Sequence, residues 1–459
     1  MMRLARVPLY AVVLGLLPTL SMAQMSPLDV GLTLPPSLNF ATSPNPVGSG
    51  ARAAGKAFAF TAVADDATAA SWNPAGLVQL QRPEASAVGS YFIRLEDHDI
   101  TQQGATQGVV AIDGQTIDAV NLNYLSVVYP LELLRRNVVV SVNVQRLFDL
   151  HGQTDVAAGF SGDVNGLQQV HSEQDGGLWT ISPALAVQIT PQFSLGAAFN
   201  IWPNILGNGW KQHVEVQSAG FVSSGGSAVP FVASGRIREE YDLKGFNVTV
   251  GFLWAINRIF TVGGVFRSPF EAKLTHKHSS SLDVTLDPDG AANTVRSALD
   301  FREKLDMDMP LSYGIGIAAR LSDNLTLSLD VSRVHWSDFK LEASTRDDVL
   351  LVENGAPSGK GKAVLDGKAD DTTSVRVGAE YLVIKRNLLI PLRAGLFYDP
   401  EPGDGGIDNF YGFTLGSGIT VKPFVFDLAY QFRTGTVDSE AVGSTIYQHN
   451  IIASVICHF

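Results

Sequence analysis

Residues able to do chemistry are thinly spread along this chain. Its nine histidines are scattered, with His335, His449 and His458 in strand-like runs, and no catalytic constellation forms around them. Only His276-Lys277-His278 sets two imidazoles at alternate positions on one strand face, where they could share a metal. The pair is read instead as a solvated extracellular strand end, so no metal and no other cofactor is expected. Asp163-Val164-Asn165-Gly166 and Asp287-Pro288-Asp289-Gly290 have the look of calcium loops. Neither carries the acidic residue at the far end that completes such a site, and turn chemistry accounts for both. Phe301, Met307 and Met309 near Pro310 are read as wall packing, and an enzyme is not expected.

Charges are more informative. Alternation places Arg376, Glu380, Arg393, Asp427 and Arg433 on the inner face of neighbouring late strands, with Asp330 and Arg267 pointing the same way. Charges that face an enclosed space need water or partners. The simpler reading pairs them with one another and with Arg52 or Lys56 near the start of the chain. The sharper one gives one or two of the arginines to the carboxylate of an amphipathic ligand, which a guanidinium can grip in a bidentate way.

The elements that must hold these residues are strands. Phe424, Phe426, Leu428, Tyr430 and Phe432 alternate with Val425, Asp427, Ala429, Gln431 and Arg433. Val375, Val377, Ala379, Tyr381 and Val383 oppose Arg376, Gly378, Glu380 and Leu382. Phe246 to Trp254, Tyr313 to Ile317 and Tyr411 to Ile419 repeat the pattern, and their inner residues are small or polar. Short turns fall near 130–137, 190–192, 255–258, 322–324, 385–387 and 421–423. Long Gly/Asp/Ser-rich loops are expected near 96–116, 149–176, 218–233, 279–297, 346–371, 400–408 and 435–445. The spacing predicts an all-β, antiparallel transmembrane barrel of roughly fourteen strands with periplasmic turns and extracellular loops.

The ends and the composition agree with a membrane barrel. Residues 1–23 read as a signal peptide, with Arg3 and Arg6, an interrupted apolar core from Leu9 to Leu20, and Ser21-Met22-Ala23 as the cleavage site. No later run is long and apolar enough for a spanning helix. The lone cysteine, Cys457, cannot form a disulfide within the chain. A net charge of −12 without basic clusters excludes a nucleic-acid partner.

Between the signal and the strands lies Gly50 to Leu77, an Ala/Gly-rich stretch that reads as small helical pieces. Asp65 and Asp66 stand where an N-cap and a first-turn carboxylate belong, and Asn73-Pro74 closes the run. This stretch, with Asn73-Pro74-Ala75 at its end, resembles the N-terminal plug of the outer-membrane fatty-acid and hydrocarbon transporters of the FadL/toluene-transporter type. Val63 to Trp72 looks closest to the PorV-like branch of that superfamily. The C-terminal Phe459, preceded by Tyr447, Ile451, Ala453, Val455 and Cys457 on one face, resembles the signal read by the outer-membrane barrel assembly machinery, and it marks the lipid face.

The resemblance implies a division into a signal peptide (1–23), a partly helical lumenal plug (24–81) and an outer-membrane barrel (82–459). It implies passive transport of hydrophobic or amphipathic small molecules, such as long-chain fatty acids or aromatic hydrocarbons. Arg52, Asp65, Asp66, Asn73, Pro74 and Ala75 would be the plug and gating residues. In the fatty-acid transporters a kinked wall strand opens a sideways exit, which makes Pro183 the lateral-exit candidate, although Val138 to Leu147 lacks the Gly or Pro of such a kink. The alternative is a PorV-like protein that receives secreted proteins at the cell surface. The expected partners are a hydrophobic ligand, outer-membrane lipid and lipopolysaccharide, and the assembly machinery during biogenesis, with the protein acting as a monomer.

Overall fold

The computed structural model describes residues 40–459 apart from 47, 101–106, 113, 134, 161–163, 205–206, 225–226, 288–291, 344–349, 354–355, 361–363, 367–368, 386–387, 404–405 and 439–441. The signal peptide, residues 24–39 of the expected plug, and Asp163, Pro288, Asp289 and Gly290 of the two acidic turns lie outside the described residues.

Fourteen antiparallel strands close into a barrel. They are β1 (Glu84–Ile100), β2 (Gln115–Leu133), β3 (Arg136–Asp149), β4 (Val164–Thr190), β5 (Phe193–Trp202), β6 (Ser227–Ala255), β7 (Phe260–Arg267), β8 (Ser312–Arg320), β9 (Leu325–Val334), β10 (Thr372–Lys385), β11 (Leu388–Tyr398), β12 (Phe410–Val421), β13 (Phe424–Asp438) and β14 (Val442–His458). Each pairs with the next, and β14 returns to β1 with His458 opposite Glu84, so the barrel has no open edge. Alternation fixes which face is which. Phe424, Phe426, Leu428, Tyr411, Phe413 and Leu415 are exposed on the outside, while Asp427, Ala429 and Arg433 are buried within. An apolar belt on a closed barrel is covered by hydrocarbon, and Phe459 lies on that outer face at the turn end.

At the opposite end the sequence reading needs correction. β4 and β6 run for 27 and 29 residues, far beyond the roughly 9–11 that cross a bilayer. Their first halves leave the barrel and join strands Gln107–Ile112, Gly152–Phe160, Gly209–Ser224, Phe270–Leu286, Asn293–Met309, Lys340–Ala343 and Val364–Asp366 in one continuous outer sheet. Most of 149–176, 218–233 and 279–297, expected as loops, is therefore strand. These strands stand in water on at least one face and carry polar residues at both parities, as in Lys211-Gln212-His213, so the apolar period that marks the barrel is missing.

Residues 40–46 and 48–80 lie inside the barrel. At the loop end the Ala41 amide donates to Asp149 O (2.9 Å) and Gln448 Nε2 to Ala41 O (2.9 Å). From there the chain descends through helical turns α1 (Ala51–Ala54) and α2 (Ala69–Trp72) and a 3-10 turn, Pro74–Gln79, to reach β1 at the turn end. Asp65 and Asp66 do not cap a helix start, because α2 begins only at Ala69. Asp66 accepts from the Thr68 amide (2.8 Å) and hydroxyl (2.6 Å), a local turn ahead of α2. Asn73 ends α2 and also opens the 3-10 turn. Pro74 takes its first position, where a missing N–H is harmless, and the Ala75 amide donates to Asn73 Oδ1 (3.2 Å).

Candidate functional site

The inner charges form one connected chain from the lumenal segment into the wall. Arg52 donates to Asp65 Oδ1 (2.6 Å) and, through Nε and a terminal nitrogen, to both oxygens of Glu380 on β10 (3.1 and 3.0 Å). Glu380 also accepts from Arg393 Nε on β11 (2.7 Å), and Arg393 donates to Asp427 on β13 (2.5 Å). All of these except Arg52 and Asp65 are buried, so each ion depends on its neighbours rather than on water. Burial lifts the Asp66 carboxyl above its ordinary value, against the pull of Arg52 and the Thr68 donors.

Arg376 and Arg433 belong to a second cluster nearer the loop end. Arg376 donates to Asp399 Oδ1 (2.7 Å), and Arg433 donates to Glu401 Oε1 (2.9 Å) with its guanidinium 3.8 Å above the Phe410 ring. Asp399 and Glu401 are buried acids that sequence reasoning missed, because they flank a Pro/Gly-rich segment read as loop. A signal existed: Arg267, Arg376, Arg393 and Arg433 outnumber the inner acids Asp330, Glu380 and Asp427, so further carboxylates were required.

Hydrogen bonds to the backbone fasten the rest of the segment. The wall residue Asp330 accepts from the Phe60 and Thr61 amides (2.9 and 2.8 Å). Asn73, fully buried, donates to Thr61 O (2.9 Å) and to Phe252 O on β6 (2.8 Å). Ser194 on β5 donates to Ala75 O (3.1 Å). The wall offers glycine where the segment's backbone lies flat on it. A Cβ at Gly196 would stand 2.4 Å from the Ala75 nitrogen, and one at Gly378 2.4 Å from Lys56 O. The small inner residues noted in the sequence are thus the floor on which the segment rests. Lys56 is buried, its ammonium has no hydrogen-bond partner among the described residues, and it sits 4.5 Å above the Phe60 ring. Burial lowers its pKa to about 8, with Glu380 pulling upward and Arg52 pushing down.

Above this floor the lumen changes character. The sequence reading of a small or polar interior holds beside the segment, and toward the loop end Phe148, Trp202, Phe270, Met309 and Trp336 join Asn143, Asn200, Asn247 and Thr249 around a cavity. Met309, packed in the apolar cluster of the wall, also borders this cavity. Arg267, on β7, lines the same cavity. Among the described residues its one hydrogen bond is a long one to Ser71 O (3.4 Å), and it has no carboxylate partner. Of the inner arginines, this one is left with capacity to receive an anion.

Pro183 interrupts the β4–β5 ladder while β4 keeps its pairing with β3, Val142 opposite Pro183. β4 pairs Ile181 with Ile201 and Ala184 with Ala198 on β5, skipping Ser182 and Pro183 and keeping register, while Ser182 donates from its side chain to Asn200 (2.8 Å). β3 bulges at Leu147 although it has no Gly or Pro there. His276 and His278 are not a solvated strand end. Both are buried, packed with Glu239 on the outer sheet.

Comparison with known proteins agrees with this architecture. Residues 48–408 match the family described as outer membrane protein transport protein (OMPP1/FadL/TodX). The fold resembles the CymD monoaromatic hydrocarbon channel, at 17% identity and TM-score 0.55 over 90% of this chain and 98% of that one. It resembles a Pseudomonas aeruginosa FadL homologue, at 13% identity and TM-score 0.58 over 92% and 100%. It also resembles the Ralstonia pickettii toluene transporter TbuX, at 14% identity and TM-score 0.50 over 90% and 99%. No curated protein sequence matches the chain. The closed barrel and the family match place the protein in the outer membrane. The chain belongs to the OMPP1/FadL/TodX family of outer membrane transport proteins.

Proposed function

We propose that the protein carries apolar small molecules bearing a carboxylate, such as long-chain fatty acids, passively through the barrel, with residues 40–80 as its plug. One observation supports this substrate class above aromatic hydrocarbons: the aromatic cavity with the carboxylate-free guanidinium of Arg267 at its edge. The aromatic part of the wall holds a chain, and a half-buried guanidinium without an internal anion favours a carboxylate head. The Ser71 carbonyl beneath Arg267 belongs to α2, two residues before Asn73-Pro74-Ala75. A ligand head at Arg267 would therefore press on the segment that has to yield. Arg52, Asp65, Asp66 and the wall pairs around Glu380, Arg393 and Asp427 act as the latch, the Arg376 and Arg433 cluster steadies the loop end, and the ladder break at Pro183 is the proposed lateral exit.

Native mass spectrometry of the purified barrel tests the reading. A co-purified fatty acid in the unaltered protein, reduced in Arg267→Ala, supports it. An empty lumen under conditions that load a family transporter contradicts it. That result would favour the second reading, a secretion-associated surface protein, to which the extensive outer sheet is suited.

A further inference from the structure

The outer sheet holds a cluster that the transport reading does not use. Glu239 on β6, His276 and His278 on Phe270–Leu286, and Glu303 on Asn293–Met309 occupy two adjacent cross-strand rows. In one, His278 is paired with Glu239 and with Phe301; in the other, His276 is paired with Tyr241 and with Glu303. Glu239, His276 and His278 are each almost wholly buried, between 2% and 3% exposed. Glu239 faces both imidazoles, with Oε2 at 2.6 Å from His276 Nε2 and Oε1 at 2.8 Å from His278 Nδ1. The remaining ring nitrogens are also engaged. His276 Nδ1 lies 2.8 Å from Glu303 Oε1, and His278 Nε2 lies 2.9 Å from Ser280 Oγ.

A neutral imidazole has one N–H, yet His276 lies between two carboxylates. Either the ring carries a second proton or a cation stands between it and one of the carboxylates. The rings are also held in plane: Tyr241 stacks on His276 at 4.4 Å and 1°, Trp210 stacks on Tyr241 at 4.4 Å, and Phe301 stacks on His278 at 4.5 Å. One potential ligand atom from each of Glu239, His276 and His278 lies within 4.8 Å of the others.

We propose that Glu239, His276 and His278 form a binding site for a divalent transition-metal ion of the zinc class. Two imidazoles and one carboxylate with a fourth position left for water are a common zinc set. Tetrahedral coordination at about 2.0–2.1 Å needs ligand atoms roughly 3.3 Å apart, a spacing that three atoms already within 4.8 Å of one another reach by small side-chain adjustments. With His276 Nε2 and His278 Nδ1 on the metal, His276 Nδ1–H donates to Glu303 and His278 Nε2–H to Ser280, which fixes both tautomers in the way outer carboxylates orient metal-bound histidines. The ion would join two strands of the outer sheet, with Glu303 of a third behind His276, and a cleft bordered by Gln212, Arg238 and Ser279 adjoins Glu239 and His278.

The test uses the full-length barrel purified in detergent and stripped with chelator. Titration with zinc is expected to show one ion per chain, and titration with cobalt the visible absorption of a tetrahedral site with nitrogen ligands. Glu303→Gln should weaken zinc roughly 10- to 100-fold, and His276→Ala with His278→Ala should abolish stoichiometric binding. His171→Ala, which alters a half-buried histidine elsewhere on the outer sheet, should leave it unchanged. Absence of stoichiometric zinc and of the cobalt spectrum in the unaltered protein overturns the proposal whether or not any variant folds. Undiminished binding in a folded double variant overturns it as well.

Discussion

Arg52 of the lumenal segment and Glu380 of the wall meet in a bidentate pair, with nitrogen-to-oxygen distances of 3.1 and 3.0 Å. Glu380 is also held by Arg393 at 2.7 Å, so one carboxylate serves a cation that could leave with the plug and another that cannot. In the proposed function this pair is the releasable fastening, set in a permanent charge network.

Glu380→Gln should therefore loosen the segment by on the order of 3 kcal/mol, since it leaves two guanidinium groups facing a neutral amide. Hydrogen exchange of the amides of residues 48–64 is expected to rise about a hundredfold, the exchange equivalent of that energy, while the strands stay protected. Unchanged exchange would mean that Arg52 and Glu380 do not hold the segment.

Asn73 closes three hydrogen bonds at a buried position. Asn73→Ala leaves the Thr61 and Phe252 carbonyls and the Ala75 amide without that partner, at a cost of about 1–3 kcal/mol for each group left unsatisfied. Gly378→Val should displace the segment by a different route, because its Cβ would meet Lys56 O. Both variants should raise ion conductance in planar bilayers above the unaltered barrel. Silent channels in both would contradict the plug assignment.

Lys56 sets a pH dependence. Its pKa falls from 10.5 to about 8 in the docked segment because burial disfavours the charged form. Glu380 and Asp65 draw it upward, and Arg52 and Arg393 push it down. Undocked, the ammonium keeps its proton to about pH 10.5, so between those values the undocked state binds more protons and docking strengthens as pH rises. Protection of residues 48–64, corrected for intrinsic exchange, should be greater at pH 9.5 than at 7.5, and Lys56→Met should remove the difference. The same slope in Lys56→Met would assign the effect to another group.

Much of this was legible in the sequence, for identifiable reasons. Lipid demands an apolar residue at every second position, so Phe424, Phe426 and Leu428 announce a barrel strand and its outward face. The segment from Gly50 to Leu77 is legible because Asn73, Pro74 and Ala75 each make a backbone-dependent contact. The outer strands were hidden because water makes no such demand on Lys211, Gln212 and His213. The burial of His276 and His278 depends on Tyr241, Trp210 and Phe301, which arrive from three other strands. Which inner arginine lacks an acid also depends on pairing. Asp399 and Glu401 claim Arg376 and Arg433 from a hairpin read as loop, and that leaves Arg267 without an anion.

The central claim is that Arg267 receives a carboxylate head within the aromatic cavity. The direct measurement is calorimetric titration of the purified barrel with a long-chain fatty acid and with the alcohol of equal chain length, repeated on Arg267→Met. The account predicts at least a tenfold preference for the acid in the unaltered protein, in line with about 1.5–3 kcal/mol for a hydrogen bond to a charged group, and no preference in Arg267→Met. Equal affinity for acid and alcohol in the unaltered protein, or an acid preference that survives the substitution, would contradict it.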